Sequence, residues 1–185
     1  MATRVPPSAE QSTRRRILAA TFVVLARAGR KKLMLSEVAA EAKVSRPTLY
    51  RYFPPEALLD AFGLYEQDNF DAGISSAMAG LRGVERLDAA LQFVVDFQRT
   101  YSLGFLVDTE PEHVLFQMKR VMPILHGRIE RLIDGDNADL AAATVVRVAV
   151  CHYLVGADDR ERFLAELRYA AGISPRRQAS RSATA

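Results

Sequence analysis

The stretch EVAAEAKVSRPTLYRYF, residues 37–53, holds two short helical patterns with a break between them. Leu35, Val38, Ala39 and Ala42 recur at three- and four-residue intervals, which predicts a helix over 35–42 with one apolar face. Ser45 then offers a hydroxyl to cap a helix over 46–53. Pro47 is tolerated there, because first-turn N–H groups have no intrahelical acceptor to lose. Leu49 and Phe53, one turn apart, set the buried side of this second helix. Arg46, Pro47, Thr48, Tyr50 and Arg51 are thereby left on the outer side, and the pair reads as a helix-turn-helix unit.

Outward from this unit the chain reads as helix throughout, with no sustained period-2 alternation. Upstream, Ser12 or Thr13 is expected to cap a helix to about residue 28, stopped by Gly29, with Ile17, Leu18, Thr21, Phe22, Val24 and Leu25 on its apolar face. Downstream, Pro54-Pro55 breaks the chain and opens a fourth helix to about residue 79. Apolar helices follow over 85–101, from Pro111 to about 134 with a kink or restart at Pro123, over 139–155 and over 159–171. The expected fold is all-α, with a flexible arm over 1–11, domains over 12–55 and 56–173, and a disordered basic tail over 174–185.

The net charge of +3 conceals a division along the chain. Residues 1–55 carry 11 Lys/Arg against 3 Asp/Glu, and residues 56–173 carry 11 against 19. A basic block beside an acidic one suggests a module that meets a polyanion, joined to a body that does not. The uncharged apolar run 17–26 is far shorter than the roughly 20 residues of a membrane span, and residues 1–11 have no apolar signal region, so a cytoplasmic chain without a membrane partner is expected. The single cysteine, Cys151, excludes an intramolecular disulfide and a cysteine-rich zinc site.

Catalytic and metal-binding chemistry find little support. Cys151 and His152 are adjacent on a helix and so point about 100° apart, which does not suit a nucleophile and its base. His126 and Glu130 share a helix face and His113 follows Asp108, Glu110 and Glu112, but neither group has diagnostic ligand spacing. There is no glycine-rich phosphate loop and no nucleophile elbow. No enzyme activity, metal or cofactor is expected.

Residues 37–53 resemble the DNA-binding signature of the tetracycline-repressor (TetR) family, the Leu49-Tyr50-Arg51-Tyr52-Phe53 block most specifically. The resemblance implies an N-terminal helix-turn-helix DNA-binding domain and a C-terminal helical ligand-binding and dimerisation domain. It implies a homodimeric transcription factor, usually a repressor, with double-stranded operator DNA as its partner. Positions matching Ser45, Thr48, Tyr50 and Tyr52 contact the operator in relatives, and those matching Arg46 and Pro47 face base edges. Arginine reads guanine bidentately, while Thr and Tyr contact phosphates or thymine methyl groups, so Arg51 joins the expected surface. Lys43 stands where relatives usually carry a turn glycine, and Met34 replaces their Ser/Thr cap. The stretch after Phe53 is one residue short, with Glu56 near the place of a common lysine. Arg30, Lys31 and Lys32 are candidates to supply phosphate charge there.

For the second domain, a pocket for a small hydrophobic effector is expected among Phe62, Tyr65, Met78, Phe93, Phe97, Tyr101, Phe105, Phe116, Met118 and Met122, with His126 and Arg147 as polar handles. A homodimer through the last two helices is expected as well, because 139–155 is apolar nearly all round; Val145 and Leu167 are the residues expected to hold it. Two readings stay open beside an effector-released repressor. One is a DNA-binding dimer without an effector, the other a small helical enzyme.

Overall fold

Eight helices account for the described residues, which in this computed structural model are 8–29, 31–54, 56–100, 107, 111–155 and 159–173. They are α1 (Ala9–Ala28), α2 (Leu35–Glu41), α3 (Arg46–Tyr52), α4 (Leu58–Ala77), α5 (Gly83–Thr100), α6 (Pro111–Glu130), α7 (Ala138–Val155) and α8 (Arg160–Ala170). No strand occurs among the described residues. The all-α reading therefore holds. The expected tail, 174–185, and residues 1–7 of the expected arm lie outside the described residues.

Three boundaries differ from the sequence reading, each for a local reason. α1 starts one turn early because Ser8 caps it: Ser8 Oγ accepts from the Gln11 N–H at 3.2 Å, and Gln11 Oε1 accepts from the Ser8 N–H at 3.0 Å. Ser12 and Thr13 consequently lie inside the helix. α4 begins at Leu58, not at the prolines, because the chain first makes a turn in which the Ala57 N–H reaches the Pro54 carbonyl at 2.9 Å. α6 passes through Pro123 as one helix, without the restart that a mid-helix proline suggested.

The chain divides into two compact units, residues 1–75 with 103–114, and residues 76–102 with 115–185. In the first, Ile17, Val24 and Leu25 of α1 pack with Val38 and Ala39 of α2, Leu49 of α3, Phe53, and Leu58 and Phe62 of α4. Thr21 is fully buried in α1, and its hydroxyl is satisfied by the Ile17 carbonyl at 2.9 Å. Truncating a side chain such as Leu49, which is 1% exposed, would cost about 2–5 kcal/mol.

The second unit is built on Leu87, Leu91 and Val95 of α5, Ile129 of α6, Ala142, Val145, Val146 and Ala149 of α7, and Phe163, Leu164 and Leu167 of α8. Two bidentate ion pairs tie α5 to α8. Arg168 holds Asp88 at 2.6 and 2.8 Å, and Arg160 holds Asp96 at 2.6 and 2.9 Å. Val145 and Leu167 are buried inside this core, which corrects their expected place on a dimer face. The large apolar residues that α7 and α8 leave exposed are Leu140, Val155 and Tyr169.

Candidate nucleic-acid interface

α2 ends in a six-residue hydrogen-bonded turn. The Val44 N–H bonds the Ala39 carbonyl at 3.0 Å, and the Lys43 N–H bonds the Ala40 carbonyl at 3.1 Å. This is the pattern that places one residue in the left-handed region, ordinarily a glycine. Here Lys43 takes that place with φ 53°. Ser45 follows as the N-cap of α3, its Oγ accepting from the Thr48 N–H at 3.2 Å and lying 2.7 Å from Thr48 Oγ1. Met34 opens α2 with no side-chain cap, as its thioether dictates.

Leu49 and Phe53 are buried and anchor α3 in the first core, while Ser45, Arg46, Pro47, Tyr50 and Arg51 are exposed and Thr48 and Tyr52 half-buried. The structure thus brings together all seven residues of the expected DNA surface on one short helix and its cap. Tyr52 also packs against the first core, and the Arg51 guanidinium lies 5.3 Å from its ring centroid. Arg14, from the first turns of α1, was not foreseen. Its guanidinium sits 4.2 Å from the Phe53 ring centroid, and its Nη1 lies 3.5 Å from the Tyr52 carbonyl, so α1 clamps the C-terminal end of α3. The signal was the Arg14-Arg15-Arg16 run, read only as charge. Lys32, Lys43, Arg15 and Arg16 are exposed in the same unit, Arg27 pairs with Glu41 at 4.0 Å, and Arg30 lies outside the described residues.

The described members of the expected effector set divide between the two units. Phe62 belongs to the first core, with Tyr65 packed against it. In the second unit Phe93 and Phe97 are half-buried, ring centroids 5.6 Å apart, and Met122 packs against the second core. Met78 and Met118 are half-buried, whereas Phe116 and Arg147 are exposed. His126 turns its Nε2 to Asp139, 3.1 Å from Oδ1 and from the main-chain oxygen. Tyr101 and Phe105 lie outside the described residues, as does the side chain of His113. Sequence reading passed over Glu66, a half-buried acid on α4 whose Oε1 has no hydrogen-bond partner among the described residues. Burial pushes its carboxyl above the ordinary range, and a hydrogen bond from Asn69 opposes that shift. Its position, one turn after Phe62 and one before Phe70, marked it as an acid on an apolar face.

Residues 17–61 match the family model described as bacterial regulatory proteins, tetR family. A TetR-like transcriptional regulator from Rhodococcus sp. RHA1 is similar in structure, with TM-score 0.61 and 19% identity over 91% of this chain and 97% of that one. A second TetR-family regulator, from Rhodococcus sp., gives TM-score 0.65 and 21% identity over 88% and 98% of the two chains. The multidrug binding protein EbrR, solved with imidazole, gives 0.53 and 18% over 89% and 97%. No curated protein matches the chain significantly. Residues 17–61 therefore match the N-terminal domain of the tetR family of bacterial regulatory proteins, and the chain shares the fold of these solved TetR-family regulators.

Proposed function

We propose that the protein is a homodimeric repressor, released from a palindromic operator by a small hydrophobic ligand. The observation that carries the reading is α3 itself, anchored by Leu49 and Phe53 and presenting Arg46, Pro47, Tyr50 and Arg51 to solvent. Arg46 reads a base edge, Ser45, Thr48, Tyr50, Arg51 and Tyr52 hold phosphates or thymine methyl groups, and the exposed lysines add salt-sensitive attraction. A second copy covers the outer face of α7 and α8. An open groove of about 790 Å³ runs along it between Leu140, Thr144, Val148, Ala165 and Tyr169. Although α7 is apolar enough by composition to cross a membrane, with mean hydropathy 1.5, four of its residues form the second core. Its uncovered side is better explained by a second α7.

The effector lining we propose is drawn from Phe93, Phe97 and Met122, three half-buried members of the expected set in the second unit. A fold shared with a multidrug binding protein supports a ligand of this kind. Such a ligand loosens the operator only if it binds the DNA-free arrangement of the dimer more tightly.

The test is binding to the DNA upstream of the protein's own gene over a range of salt. Log affinity should fall steeply with log salt, and Arg46→Ala should relax base preference at one position per half-site by about 1–3 kcal/mol. A flat salt response, or an unchanged preference, overturns the operator reading. Hydrophobic compounds that stabilise the protein should also release DNA. If stabilising compounds leave DNA affinity unchanged, the protein is a DNA-binding dimer without an effector.

A further inference from the structure

We propose that His126, Glu130 and Asp139 form a binding site for a divalent first-row transition ion, zinc above all. His126 and Glu130 stand one turn apart in the last turns of α6, so both side chains leave the helix on one face. Asp139 comes from the first turn of α7, nine residues after Glu130 in the chain. Sequence spacing offered only the first two donors, and it is the fold that supplies the third.

One ligand atom from each residue lies within 4.8 Å of the others. Among them, His126 Nε2 lies 3.1 Å from Asp139 Oδ1. An ion about 2.0–2.2 Å from an imidazole nitrogen and two carboxylate oxygens needs those atoms roughly 3–3.5 Å apart, so small side-chain adjustments close the set. One imidazole with two carboxylates suits zinc and its first-row neighbours better than calcium, which takes an all-oxygen shell of six or more. The ring already points the nitrogen that would ligate at its partner acid, so the ion replaces a hydrogen bond. His126 is 28% and Asp139 78% exposed in their side chains, which leaves a path of entry and room for a water to complete four ligands.

The surroundings favour a cation. Residues 130–139 carry Glu130, Asp134, Asp136 and Asp139 against Arg131 alone. Arg131 extends back toward Gly127, where the missing side chain leaves it space, so its charge lies along a neighbouring strip of α6. The last turn of α6 meets the first turn of α7 through the His126–Asp139 contact, and the opposite partial charges of the two helix ends offset there. A bound ion would pin the end of α6 to the start of α7 and stabilise the folded second unit by mass action.

The experiment uses the full, tag-free chain stripped with a chelator, then titrated with zinc by calorimetry and with cobalt(II) by visible absorption. The expected result is one zinc per chain, a melting temperature that rises with zinc, and a cobalt spectrum with a nitrogen ligand. His126→Gln keeps a group able to bond Asp139; it should retain the helical circular dichroism yet bind zinc at least tenfold more weakly and lose the zinc-dependent rise. Glu130→Gln should weaken binding by a similar factor, whereas Cys151→Ser should leave it unchanged. No uptake by the wild type at tens of micromolar zinc overturns the proposal. So does wild-type affinity retained in folded His126→Gln or Glu130→Gln, or loss of binding in Cys151→Ser.

Discussion

Lys43 occupies the tightest point of the turn before α3, and its φ of 53° places a branched-free but bulky side chain where the carbonyl crowds Cβ. That strain acts on the segment that aims the recognition helix, so relieving it should be measurable. Lys43→Gly is expected to stabilise the protein by about 0.5–1 kcal/mol in urea unfolding, with Lys43→Ala giving no gain. A gain from alanine equal to that from glycine would place the effect elsewhere. Glu66 presents the opposite problem, a carboxylate that folding moves into a poorer solvent. Because its folded pKa is raised, the folded state holds the proton more tightly; its contribution becomes unfavourable as pH rises through the ordinary value of 4.5 toward the folded one. Glu66→Gln should therefore raise the urea midpoint at pH 7 and change it little at acid pH. An equal gain at both pH values would show that charge is not the cause.

At the scale of elements, α5 and α8 are held by the two arginine pairs as well as by apolar packing. The Arg168 guanidinium lowers the Asp88 carboxyl, and Arg160 does the same to Asp96. A depressed pKa contributes stability above the unfolded value, near 3.8 for both, and loses it as pH falls through the lower folded values. Stability should thus fall below about pH 4, more steeply than in the double variant Asp88→Asn/Asp96→Asn, which should be less stable at pH 7. Urea midpoints across that range decide it, and parallel slopes in the two proteins would contradict the assignment. The α2–α3 unit was legible in advance because its determinants are local: Leu49 and Phe53 sit one turn apart, and Ser45 caps the helix it precedes. Asp88 and Arg168 lie 80 residues apart, and periodicity says nothing of such a partnership. The start of α1 was misplaced because Ser8, Ser12 and Thr13 are all competent caps; the Gln11 that completes a box with Ser8 decides between them. Asp139 was invisible as a third donor beside His126 and Glu130, since only the α6–α7 turn brings it back to them. The effector set was not legible in the sequence because aromatic residues at helical spacing serve cores and pockets alike, and Phe62 belongs to the first core.

For the whole molecule, the residues that matter are those the second unit leaves uncovered. Leu140 is 65%, Val155 79% and Tyr169 87% exposed, an unusual display for one helix pair. Leu140→Asp combined with Tyr169→Asp should yield a folded monomer with weakened operator binding, seen by light scattering and circular dichroism together. Val145→Asp should instead unfold the second unit, because Val145 is 3% exposed within its core. A dimer that survives the paired aspartates would move the interface away from α7 and α8. If that face is what joins two chains, the exposed leucine and tyrosine also set how sharply a gene responds to the abundance of the protein. Below the dissociation constant of the pair, the number of dimers falls as the square of the number of chains, since each dimer consumes two. Halving the concentration, as one doubling of cell volume without new synthesis does, then removes about three quarters of the species able to grip both half-sites.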